Sequence, residues 1–216
     1  MDSIEYYLTF LGPFSLVVGL IVGGMVFKRL PGFYRLLYLY LVVGLVTDVV
    51  FRTFGYVKGF NLYIVPFYAA IELCLFSWLF YKYLTKENRV FLIVMALFGS
   101  LFVIEALWLN QITEAPGFRS YSKVITDLAI VAYCLLYFGI ELQRPNPDRD
   151  KLLFNVGTII FFSINFLVFG SINFLVNVSR AITAWILYVN TFSLAGYYSF
   201  LIWRMWEQSR KRKQVR

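Results

Sequence analysis

Seven apolar runs, each long enough to cross a bilayer, occupy almost the whole of this 216-residue chain. A spanning α-helix needs about 20 mostly apolar residues to cross a hydrocarbon core of roughly 30 Å. The runs cover about 7–27, 33–54, 62–84, 89–110, 120–142, 152–175 and 181–204. Within hydrocarbon every backbone polar group must find its partner inside the protein, which leaves helices or a closed barrel as spanning forms. The expected fold is therefore all-α and integral to a membrane: one bundle of seven helices over 1–204, then a basic tail at 205–216. Turn residues fall between the runs, at Pro31-Gly32, Gly55 with Gly59, Pro116-Gly117 and Pro145-Asn146-Pro147. The loops are too short for a soluble domain.

Charge supplies the orientation. The net charge is +8, and fifteen of the 20 Lys and Arg residues fall in alternate loops and the C-terminal segment. Lys28, Arg29 and Arg35 lie in the first of these loops, Lys82, Lys86 and Arg89 in the next, and Arg144, Arg149 and Lys151 in the third. The positive-inside rule then places the C-terminus in the cytoplasm and the N-terminus outside, which an odd number of spans requires. The N-terminal segment MDSIEYYLTF lacks the basic region of a signal peptide, so the first span is expected to stay. Arg210, Lys211, Arg212 and Lys213 are expected to meet anionic lipid headgroups, each cation contributing about 1 kcal/mol near the surface. Nothing in this distribution suggests nucleic acid. The expected location is a bacterial inner membrane, with the lipid bilayer as the first partner.

Polar residues inside the spans are the functional candidates. An ionisable group in hydrocarbon costs a few kcal/mol on insertion scales, so it faces a protein interior or a wet cavity. Asp48, Glu72, Glu105 and Asp127 are four such acids. Asp48 and Arg52, and Lys123 and Asp127, stand at i and i+4, where side chains meet on one helix surface. Those two pairs read as structural, lining an outer mouth. Glu72 and Glu105 have no basic residue within four positions and carry the stronger functional expectation. Each is protonated, paired to another helix, or wet. Neutral polar residues add Tyr68 above Glu72, a stripe of Asn155, Thr158, Asn165 and Asn173, and Thr183, Asn190 and Tyr197 at seven-residue spacing. Together these suggest an outward-facing, acid-lined cavity, with simple interhelical hydrogen bonding as the plainer alternative. Ser15, Gly19 and Gly23 form a small-residue row on the first helix, suited to close packing within the bundle or to an oligomer or membrane-protein partner.

Absences narrow the chemistry. The chain has no histidine, which excludes a Ser–His–Asp triad, a Cys–His pair and histidine ligation of a metal. Cys74 and Cys134 fall mid-span and read as apolar packing residues rather than as a disulfide or metal site. No catalytic residues, metal or cofactor are expected, although a carboxylate-only hydrolase remains chemically open. The repeated hexapeptide Ser-Ile-Asn-Phe-Leu-Val, at 163–168 and 171–176, marks one polar helix and no fold-level duplication. Asn177-Val178-Ser179 matches a glycosylation sequon, expected to be too close to the membrane for use.

Two stretches carry a resemblance. Through NLYIVPFYAAIE at 61–72 and KLLFNVGTIIFF at 151–162, the chain resembles small seven-helix membrane proteins of bacteria, of the kind common in the Bacteroidota. It is broadly similar also to the seven-helix sensory modules fused to some histidine kinases. Phe154-Asn155 stands where that pattern has Phe-Trp. The resemblance implies a fold and no specific activity. The functional expectation is a non-enzymatic sensor, ligand-binding or partner-regulating module. A proton- or cation-coupled transporter or channel, and a structural subunit of a membrane assembly, are the alternatives.

Overall fold

The computed structural model describes residues 10–58, 64–85, 89–104, 121–175 and 180–214. Among them the regular structure is helical: α1 (Leu11–Val26), α2 (Gly32–Lys58), α3 (Ile64–Leu79), α4 (Val90–Ile104), α5 (Tyr121–Leu142), α6 (Arg149–Leu175) and α7 (Arg180–Gln214). A 3-10 turn at Phe27–Arg29 follows α1, and a π-turn at Phe80–Leu84 continues α3. Five helical stretches are long and apolar enough to cross a membrane: Leu11–Arg29, Gly32–Val57, Ile64–Leu84, Tyr121–Leu142 and Arg149–Ile172. The described apolar part of α4 is shorter. α7 is interrupted by Asn190, Thr191, Ser193 and three tyrosines.

The outer surface is as apolar as the core. Phe14, Ile21 and Met25 of α1, Val46 and Val49 of α2, Leu97 of α4, Leu128 and Leu135 of α5 and Leu167 of α6 all point outward. A helix apolar all round suits a bilayer, where the inward face is distinguished by polarity and ring packing rather than by hydrophobicity. That is what distinguishes it here. Tyr40 packs edge-on against Phe76 at 5.3 Å, Phe76 against Phe162 at 4.9 Å, and Phe161 stacks on Tyr197 at 4.1 Å. Such pairs favour offset or edge-to-face geometry, and they tie α2, α3, α6 and α7 together.

The α1 small-residue row faces this chain's own helices. A Cβ on Gly19 would lie 3.0 Å from both Ile202 of α7 and Leu41 of α2, and one on Gly23 would press on the Tyr38 ring. Ser15 is buried in the same row and donates to the Leu11 carbonyl at 3.0 Å. The row thus serves internal packing, and the face of α1 left open carries Phe14, Ile21 and Met25.

Helix ends differ from expectation in two places. α2 runs through Gly55 to Lys58, past the point where a loop was expected to begin. α7 continues as helix through the basic segment to Gln214. At the end of α3, the backbone N–H and hydroxyl of Thr85 both donate to the Phe80 carbonyl, at 2.9 and 2.8 Å. That i-to-i+5 closure makes the π-turn.

Candidate functional site

α3 brings Glu72 inward because Ala69, Leu73 and Phe76 share its buried face. α5 brings Lys123 and Asp127 inward because Thr126, Ile130 and Cys134 share theirs. The two helices pack against each other, with the Thr126 hydroxyl donating to the Ala69 carbonyl at 3.3 Å. Lys123 then spans the gap. Its Nζ donates to Glu72 Oε2 and to Asp127 Oδ1, each at 2.5 Å. Tyr40 of α2 and Tyr68 of α3 donate to Glu72 Oε1 at 2.9 and 3.1 Å.

The cluster is sealed. Glu72 is 1% exposed, Lys123 3% and Asp127 0%. The Lys123 ammonium lies 5.4 Å from the Phe162 ring centroid, 5.5 Å from Phe169 and 5.8 Å from Tyr68. Phe162 and Phe169 stand at i and i+7, so one face of α6 covers the ammonium with two rings, and Asn165 is buried on the same face. Ring faces favour a cation, most of all where water is excluded.

The two carboxylates are unequal. Glu72 accepts three hydrogen bonds, one of them from the ammonium, as an ionised carboxylate does. Asp127 accepts from Lys123 through Oδ1, while its Oδ2 is buried without a partner. Among the described residues no second cation bonds either carboxylate. Two carboxylates and one ammonium leave one uncompensated negative charge. In a low-dielectric interior an isolated charge costs so much that the group neutralises instead.

Glu72 therefore takes the second of its three expected states, paired to another helix, in the cluster that holds the Lys123–Asp127 pair. Sequence separation hid this pairing: Lys123 lies 51 residues from Glu72. Asp48 and Arg52 form their i,i+4 pair at 2.8 Å, but on a partly exposed part of α2 with Arg52 over the Phe10 ring. They do not join the cluster. Glu105 lies outside the described residues, as do Asn61 and Asn177. Asn165 is buried, and Asn190 is half-buried with its Oδ1 lacking a partner. Thr158 bonds Tyr197 at 3.2 Å, and Asn155 donates to the Cys134 carbonyl at 2.8 Å. Cys134 is buried, whereas Cys74 faces outward from α3 rather than packing in the core. Among the described residues no group of three or more His, Cys, Asp or Glu side chains is placed to hold a metal ion.

A second charged network, missed in the sequence, closes the opposite end. Arg204 of α7 is 1% exposed although it reads as the first cation of the basic tail. It donates to Asp150 Oδ1 at 3.1 Å, to the Asp150 carbonyl at 3.0 Å and to Tyr34 at 3.4 Å, and it pairs with Glu207. Gln208 and Lys211 also donate to Asp150. Beside it Glu141 bonds Arg144 and the Asp148 backbone N–H, closing the turn between α5 and α6. The readable signal was Arg204–Glu207–Gln208–Lys211, a polar face at three- and four-residue spacing.

No family model, curated protein or solved structure matches this chain.

Proposed function

We propose that this is a non-enzymatic, seven-span membrane protein that senses protons through the Glu72–Lys123–Asp127 cluster. The N-terminus is outside and the C-terminal helix end lies at the cytoplasmic face. The observation that carries the reading is Asp127 Oδ2, buried and without a partner beside a carboxylate pair that shares one ammonium. One proton on Oδ2 makes the cluster neutral. Its loss leaves two anions on Lys123, and the added charge must be met by water or by movement of α5 against α3. An intramembrane ionisable group of this kind is a functional site by default.

Glu72, Lys123 and Asp127 are buried, so a species sensed there must be small enough to enter a packed core. A proton meets that condition. The test is a pH titration of the reconstituted protein, followed by intrinsic fluorescence. Wild type should show a transition that Asp127→Asn abolishes. If the variant keeps the transition, the reading fails.

A second reading is proton-coupled transport. It is favoured by polar side chains that continue through the core from the cluster: Tyr40, the Tyr197–Thr158 pair, Asn155 with a buried Oδ1 lacking a partner, and Tyr34 on Arg204. Liposomes with an internal pH dye separate the two. Flux lost in Asp127→Asn supports transport, and no flux under an imposed gradient leaves sensing.

A further inference from the structure

The last turns of α7 carry an exposed surface beside the Arg204 network, whose guanidinium lies 5.5 Å from the Trp203 ring centroid. Trp203, Trp206, Arg210 and Lys213 stand at i, i+3, i+7 and i+10, which puts them on one helix face. Trp203 is 51% exposed and Trp206 39%, and Arg210 and Lys213 are exposed. The Arg210 guanidinium lies 5.4 Å from the Trp206 ring centroid. Trp206 and Lys213 are seven residues apart, about 10 Å along a helix. So the face grades from indole to cation over a distance comparable with a headgroup layer.

Lys211 behaves differently from its neighbours. Its ammonium bonds both Asp150 oxygens, at 3.0 and 3.1 Å, and Glu207 at 3.1 Å. Those hydrogen bonds to the Asp150 and Glu207 carboxylates hold it above the usual lysine range. Lys211 is therefore committed to the joint between α6 and α7.

We propose that the Trp203–Trp206–Arg210–Lys213 face is a docking surface for the phosphate of an anionic phospholipid, and that Lys211 is not part of it. Indole rings favour the level of the headgroups, and clustered cations just beyond them attract anionic lipid. Charge complementarity extends to the neighbouring loops: the Tyr34–Arg204 and Arg204–Asp150 bonds bring the starts of α2 and α6 to this end, and with them Arg35 and Arg149, whereas Lys151 pairs with Asp148. The proposal rests on the membrane reading above.

The test uses the full chain in nanodiscs of phosphatidylcholine, with and without phosphatidylglycerol, and reads the thermal midpoint. Phosphatidylglycerol should raise the midpoint of wild type. The double variant Arg210→Gln/Lys213→Gln should lose that rise while keeping its midpoint in phosphatidylcholine. Lys211→Gln should lower the midpoint in both lipids and keep the rise. Equal midpoints in the two lipids, or loss of the rise in Lys211→Gln instead of the double variant, overturns the proposal. So does displacement of the lipid effect by soluble poly-glutamate at low concentration, which would mark an acidic protein partner. A chain that fails to enter nanodiscs defeats the membrane reading itself, a distinct outcome.

Discussion

Glu72 takes three donors and Asp127 one, so the two acids should respond differently to removal of their charge. Glu72→Gln removes one partner of Lys123 but leaves Asp127 to ionise in its place, whereas Lys123→Met leaves Glu72 buried without a cation. Breaking a buried pair from one side costs about 3–5 kcal/mol, because a bare charge remains. Lys123→Met should lose stability of that order in thermal unfolding, Glu72→Gln less, and Glu72→Gln/Lys123→Met together less than the sum of the two. Asp127→Asn keeps an oxygen for the Lys123 bond and changes no charge if Oδ2 already carries the proton. Its cost should stay within about 1 kcal/mol, the size of one ordinary hydrogen bond. A loss as large as that of Lys123→Met would mean that Asp127 is ionised in the fold. At this scale the sequence was half legible. The i,i+4 spacing gave Lys123–Asp127, but Glu72 read as lacking a partner because its cation comes from a different helix.

Between elements, close approach is set by small residues and end anchors. A Cβ on Gly157 would lie 2.5–2.9 Å from three atoms of the Phe200 ring, so α6 meets α7 there with no space to spare. Overpacking of this kind costs about 1–3 kcal/mol, and Gly157→Ala should lower stability by that amount in denaturation in detergent. Phe200→Leu in the same chain should recover part of it; no recovery would mean that the ring is not what Gly157 accommodates. At the far end Asp150 takes bonds from Arg204, Gln208 and Lys211. Asp150→Asn removes the anion that Arg204 and Lys211 share, and hydrogen bonds to charged groups contribute about 1.5–3 kcal/mol each. Faster hydrogen exchange at the start of α6, relative to the rest of that helix, is the expected readout. The Ser15–Gly19–Gly23 row was legible as a packing stripe, though not which helices it meets. The Arg204–Glu207–Gln208–Lys211 face was legible by spacing, but not that Arg204 is buried there, because its partner Asp150 lies 54 residues away.

Across the whole molecule, apolar length made the helical architecture readable, since it is a sum over many residues and tolerates local error. The boundaries were less so: α7 stays helical through its basic end because Lys211 and Arg204 are bonded to Asp150. The seven-span topology makes its own prediction. Tyr56, at the end of α2, is 92% exposed, and Lys213 is exposed near the end of α7. In a background with Cys74 and Cys134 replaced by alanine, Tyr56→Cys and Lys213→Cys should react with an impermeant thiol reagent from opposite sides of sealed vesicles. Labelling of both from one side would contradict the topology.

The central claim is that Asp127 holds an exchangeable proton in a sealed cluster. The most direct measurement is infrared difference spectroscopy of the reconstituted protein across a pH titration. The account predicts a protonated-carboxyl band that vanishes as pH rises, is missing in Asp127→Asn and is lost in Glu72→Gln, where Asp127 ionises as the remaining partner of Lys123. A wild-type spectrum without such a band, or a band that survives in Asp127→Asn, would contradict it.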